Sequence, residues 1–129
     1  MKAYWDSSAL MQSLAEPALQ VRLKRERGFT RPHTLAEVFS ALTGNPVIRV
    51  DADDASEFIS ALARNLDFVE LGVPEILQAL RTARQKGVRG GRVHDYLHAV
   101  AAEKSGAAKI LTLDRNDFSG ISGLPVEQA

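Results

Sequence analysis

A parallel sheet covered by helices on both faces is the expectation for this chain, on three grounds. Short β-prone runs alternate along the sequence with longer segments whose apolar residues recur at helical spacing, the arrangement that right-handed crossovers produce. Two of those runs, KAYW and the aliphatic ILTL, pass into aspartates, Asp6 and Asp114, at the strand end beyond which open parallel sheets bind their ligands. The chain has 129 residues, the length of one domain, and folding at that size hides roughly two-thirds of the extended surface.

Residues 2–5 form the first strand, and Ser7 or Ser8 caps a helix that runs to about residue 14, ahead of Pro17. Residues 19–27 read as a charged helix and 28–31 as a brief strand. Thr34 opens a helix that reaches about Thr43 before Gly44 and Pro46 stop it. Apolar residues at 55, 58, 59, 62 and 63 make 53–65 a helix, and 67–71 follows as a strand. Pro74 starts the next helix, which stops near Gly87. After the loop VRGG, the segment RVHDYLHAVAAEKSG is a further helix, 107–113 a strand, and 124–126 a candidate edge strand.

Composition narrows the function. With 45% apolar and 25% charged residues the chain is an ordinary globular protein. No apolar run approaches the roughly 20 residues of a membrane span, and Asp6 interrupts the N-terminal stretch that could mimic a signal peptide, so the expected location is the cytoplasm. The absence of cysteine excludes disulfides, thiolate nucleophiles and cysteine zinc sites. Sixteen basic and sixteen acidic residues leave no net field, so any nucleic-acid binding rests on a local patch. Repeats, low-complexity segments and linkers are lacking, which leaves a single domain over 1–129.

Several motifs are absent: the phosphate-binding G-x-x-x-x-G-K-[ST], the dinucleotide G-x-G-x-x-G and the hydrolase G-x-S-x-G. DADD at 51–54 resembles a calcium loop only superficially, since Ser56 stands at the glycine position and Leu62 at the closing glutamate; it reads as an acidic first turn favoured by the helix dipole. HDYLH places His94 and His98 four apart on a helix with an acid between them, as zinc proteases do, but the acid is aspartate and no third ligand is placed. Solvated or capping histidines are the simpler expectation.

Five carboxylates remain to be explained. Thr34-x-x-Glu37 has the spacing of a capping box, Asp95 opens a helix whose dipole it favours, and Asp114 and Asp117 suit the turn after a strand. Taken together they say more, because a parallel sheet brings strand ends and neighbouring helix N-termini to one edge. There Asp6, Glu37, Asp95 and Asp114 can converge. Four carboxylates in one pocket repel one another, an arrangement that cations relieve. Oxygen donors without sulfur select hard ions such as Mg²⁺ or Mn²⁺, which serve phosphodiester chemistry by activating water and stabilising the departing oxygen.

In order along the chain, WDSSAL, TLAEVFSAL, DYLHAVAA and TLDRNDF resemble the four acidic motifs of PIN-domain ribonucleases, specifically the VapC-type toxins of bacterial toxin–antitoxin pairs. The resemblance covers nearly the whole chain, and its strength lies in the order, spacing and completeness of the set. It implies a three-layer α/β/α sandwich with a central parallel sheet. Position by position, it implies that Asp6, Glu37, Asp95 and Asp114 form the catalytic, metal-binding cluster for Mg²⁺ or Mn²⁺. Asp117 is then accessory, although some members carry Asn at the place of Asp114 and leave the second aspartate as the steadier one. The implied activity is endonucleolytic cleavage of RNA, restrained by a cognate antitoxin, in a protein that forms a homodimer.

Ser8 would orient the cluster and is, with Arg31, Arg89, Arg92 and Arg115, a candidate for contact with RNA, the arginines by meeting phosphates near the acids. The few aromatic residues fall mostly at core-like positions, so specificity rests on RNA shape rather than base stacking. Two other classes compete. One is a catalytically inactive PIN-like module for protein binding, in which the acids are caps. The other is a phosphoacceptor receiver domain, which needs an acidic pair where Ser7 and Ser8 stand.

Overall fold

The structure, a computed structural model, describes residues 2–47 and 49–129. β1 (Ala3–Trp5) leads into α1 (Ser7–Ala15) and α2 (Pro17–Glu26), and β2 (Gly28–Thr30) into α3 (Pro32–Gly44) and α4 (Ala52–Ala63). β3 (Leu66–Phe68) precedes α5 (Val73–Thr82) and α6 (Val93–Ser105); β4 (Ile110–Thr112) and β5 (Val126–Gln128) complete the chain. The five strands form one sheet in the order β3-β2-β1-β4-β5, every neighbouring pair parallel.

Each central strand feeds two cores, because successive side chains point to opposite faces. From β1, Ala3 and Trp5 pack with Leu10 of α1, Leu23 of α2, Val38 and Leu42 of α3, and Ile59 and Leu62 of α4. Tyr4 points the other way, where it joins Ile110, Phe118, and Tyr96 and Ala99 of α6, together with Ala79 of α5. Four helices therefore cover one face and two the other, the three-layer α/β/α sandwich with a parallel sheet that the alternation predicts. Glycine is required at position 28: a Cβ there would lie 2.6 Å from Trp5 Cδ1 and 2.7 Å from its Nε1. The indole packs against bare backbone.

The strands are shorter than expected. β4 occupies only Ile110–Thr112 of the predicted 107–113, and β3 starts at Leu66, one residue before 67–71. The edge strand lies at Val126–Gln128 instead of 124–126, where it extends the pairing with β4. Two helix starts are corrected. Asp6, not Ser7 or Ser8, caps α1, with its side chain accepting from the Ala9 amide. α3 begins at Pro32, whose fixed φ suits the first helical position, so Thr34 lies inside the helix and the Thr34–Glu37 capping box does not form. The predicted loop after Val88 instead contains a 3₁₀ turn, Gly90–Arg92, that runs into α6.

Candidate active site

The site lies at the carboxyl edge of the sheet, and Asp6 is its most constrained member. Following β1 directly, its carboxylate is 4% exposed. Oδ1 accepts from the Ala9 amide (2.9 Å) and the Ser8 hydroxyl (2.7 Å), and Oδ2 from the Thr112 hydroxyl at the end of β4 (2.6 Å). The Ser8 hydroxyl in turn accepts from the Leu113 amide at 2.9 Å. These bonds tie the ends of β1 and β4 together around one carboxylate. Charge-assisted bonds of this kind are roughly twice as strong as neutral ones.

Glu37 comes from the second turn of α3 and is half-buried. With no capping role, its Oε1 lies 2.8 Å from His98 Nε2, while His98 Nδ1 lies 2.7 Å from the Tyr4 hydroxyl. An ionised carboxylate only accepts, so Nε2 carries the proton that points at Glu37. Burial pushes the Glu37 carboxyl up, but the His98 hydrogen bond and the charges of His98, His33 and Arg31 outweigh it and hold the group below the usual carboxylate range. The runner-up zinc arrangement fails on the same contacts. His98 is buried with both ring nitrogens engaged, while His94 is exposed. His98 is thus neither solvated nor a cap.

The carboxylates of Asp95, in the first turn of α6, and of Asp117, an exposed residue in the 3₁₀ turn Arg115–Phe118, accept no hydrogen bond among the described residues. Burial, then the charges of Asp117, Asp6 and Glu37, push the Asp95 carboxyl up to about 6, with His98 opposing. Burial, Asp114 and Asp6 push Asp117 up, and Arg92 opposes. Asp114 is exposed and turns its Oδ1 to the Asn116 amide (2.9 Å), capping that 3₁₀ turn. The structure therefore brings Asp6, Glu37, Asp95 and Asp117 into one electrostatic field, with Asp114 on its rim. Among the described residues, no three histidine, cysteine or acidic side chains close around a point that would hold an ion. Repulsion limits how tightly carboxylates pack. The donor set nevertheless suits a hard divalent cation, since it offers several carboxylates and no thiolate.

Three of the candidate arginines, Arg31, Arg92 and Arg115, lie near the acids. Arg31 precedes α3 and contributes charge at Glu37. Arg92 donates to the Ser119 carbonyl and acts on Asp117, while Arg89 and Arg115 are exposed. An open groove of about 550 Å³ is lined by Asp114, Arg115, Asn116, Ser119, Val126 and Gln128. A second, of about 530 Å³, includes Ser7, His33, Glu37 and His94.

Tyr4, His98 and Thr112 were not among the expected site residues. Thr112 had a signal: it is the polar residue in the aliphatic run next to the acids. His98 had one too, since it shares helical spacing with Ala101 and Ala102, which are buried. Nothing local marks Tyr4, whose role depends on a partner 94 residues away.

Comparison with known proteins agrees with this architecture. The family model described as PIN domain matches residues 3–124. The crystal structure of PAE2754 from Pyrobaculum aerophilum superposes with a TM-score of 0.69 at 24% identity, covering 98% of this chain and 89% of that one, a likeness of fold. Comparison with curated proteins gives no match. PIN domains are in general nucleases and in general use divalent metal ions. With that model spanning all but the chain's two ends, and the same sandwich in the solved structure, this protein belongs to the PIN-domain family.

Proposed function

We propose that the protein is a Mg²⁺- or Mn²⁺-dependent endoribonuclease, the toxin of a toxin–antitoxin pair. The observation that carries the enzymatic part is the gathering of acids at one edge: Asp6 is fixed where β1 and β4 end, Glu37 is held by His98, and together with Asp117 they act on Asp95, whose carboxyl burial and these charges push up to about 6. Such a concentration of like charge beyond the strand ends is what a cation site costs a fold, whereas dispersed helix caps would not repel one another. Asp6, Glu37, Asp95 and Asp117 would hold the ion, with Asp114 accessory. This reverses the order given to Asp114 and Asp117 by sequence resemblance, because Asp114 is turned toward its own cap. A bound divalent ion supplies the Lewis acidity that phosphodiester hydrolysis requires. The chain's own residues do the positioning: Ser8, Thr112 and the Ala9 amide fix Asp6, and Arg31, Arg89, Arg92 and Arg115 would meet the RNA backbone. The test is cleavage of RNA that EDTA abolishes and Mg²⁺ or Mn²⁺ restores. Activity that survives full chelation rules the mechanism out.

The acidic edge also suits a protein partner. A guanidinium or ammonium group satisfies the same carboxylates as a metal ion, so an antitoxin can silence the enzyme by placing a basic side chain among them. Expression from the native operon should copurify a small partner with a dimeric toxin. A monomeric, partnerless protein that is harmless when expressed alone would contradict the toxin assignment.

A further inference from the structure

We infer that His98 is the positioning residue for Glu37: held from behind by Tyr4, it occupies Oε1 and leaves Oε2 as the oxygen that Glu37 presents to the cation. The inference rests on the carboxylates being a cation site. Its warrant is the length and burial of the polar chain. Tyr4 is fully buried in β1 and His98 is 2% exposed. Their edge-on rings are joined by the 2.7 Å bond to Nδ1, and the opposite ring nitrogen reaches Glu37 at 2.8 Å. Behind Tyr4 lie the Thr30 and Thr34 hydroxyls, paired with each other at 2.9 Å, and Thr30 also donates to the Trp5 carbonyl (2.8 Å). Every group in this chain is anchored to the sheet or to the start of α3 except the carboxylate at its end.

A core position gains nothing from an imidazole, because burying it costs free energy unless both nitrogens are satisfied, and leucine would fill the alanine-rich face of α6 without that cost. The bond also limits Glu37 itself. A glutamate has a flexible stem, and with no capping bond to hold it the carboxylate would swing between α3 and α6; the imidazole N–H selects one position. Partners of this kind, which orient a ligand without touching the metal, typically change metal affinity by about 10–100-fold when removed.

Calorimetric titration of the full chain with Mn²⁺ tests this. His98→Leu should bind Mn²⁺ about 10–100-fold more weakly than wild type. His98→Gln, whose amide N–H lies where Nε2–H was, should recover most of the loss. In a Glu37→Ala background, His98→Leu should add less than about twofold, because the two residues act through one carboxylate. Equal affinity in wild type and His98→Leu, or the same loss in the Glu37→Ala background, overturns the inference. If His98→Leu fails to fold, Tyr4→Phe keeps the packing and removes the support. It should weaken Mn²⁺ several-fold, and unchanged affinity overturns the inference equally. Wild type that binds no Mn²⁺ sinks the cation site along with it, whereas tight wild-type binding that His98 and Tyr4 do not affect sinks this inference alone.

Discussion

Affinity for the cation should fall with pH through a window set by Asp95. Its carboxyl stands at about 6, so below that value it is protonated and neutral, and a cation that needs the carboxylate must displace the proton. The ionised fraction drops from about 0.9 at pH 7 to about 0.09 at pH 5, which predicts roughly a tenfold loss of Mn²⁺ affinity over those two units. Titration calorimetry at pH 7, 6 and 5 measures it directly. At pH 6, buffers of different ionisation enthalpy should report about half a proton released by Asp95 per ion bound. Asp95→Asn should bind weakly and lose most of the slope. The metal-free fold responds in the opposite sense. Because the folded state holds this proton above the ordinary aspartate value of 3.8, the stabilising contribution of Asp95 in the metal-free protein is fully present below about pH 4 and is lost as pH rises through about 6. In EDTA at pH 7, Asp95→Asn should therefore melt at or above wild type. Affinity that is flat from pH 7 to 5, or a mutant that melts well below wild type in EDTA, would show that Asp95 is a dipole-facing cap and refute the reasoning.

Asp114 and Asp117 should separate cleanly: Asp117→Asn should lower Mn²⁺ affinity about tenfold or more, whereas Asp114→Asn should leave affinity near wild type and cost about 0.5–1 kcal/mol of stability as a lost cap. Calorimetry and melts on the two variants check this, and a larger affinity loss for Asp114→Asn reverses the assignment. Gly28→Ala forces a methyl group into the Trp5 indole and should destabilise the protein by about 1–3 kcal/mol, with the cost read from denaturant unfolding.

The placement of the acids was legible because it follows from topology alone: a helix-connected parallel sheet sends every strand end to one edge, so Asp6 and the aspartates after β4 had to meet there. What local pattern could not supply was the identity of each side chain's partner. Thr34 and Glu37 have capping-box spacing, but Thr30 claims the Thr34 hydroxyl and His98, 61 residues away, claims Glu37. Strand lengths failed for a related reason. Residues 107–109 are Ala-Ala-Lys, with little strand propensity, and Ala108 donates to the Lys2 carbonyl outside the ladder, while past Thr112 the Leu113 amide is taken by the Ser8 hydroxyl. Long-range hydrogen bonds therefore determine where the regular pairing stops.

The distribution of buried polar groups divides the site in two. Among the described residues the buried polar side chains are Asp6, Ser13, Thr30, Thr34, His98 and Thr112, and all but Ser13 belong to this edge. Each of those five is hydrogen-bonded, so burial penalties are met and the groups fix one another. They hold Asp6 directly, and Glu37 through His98. Asp95 and Asp117 share the field but none of the bonds; their carboxyls are raised by burial and by the other acids. One half of the site is thus fixed by hydrogen bonds, and the other half carries the like charge that would give a cation its free energy of binding. Replacing a residue of the fixed half should disturb geometry at little gain in apo stability, while replacing one of the charged half should relieve repulsion and remove the site.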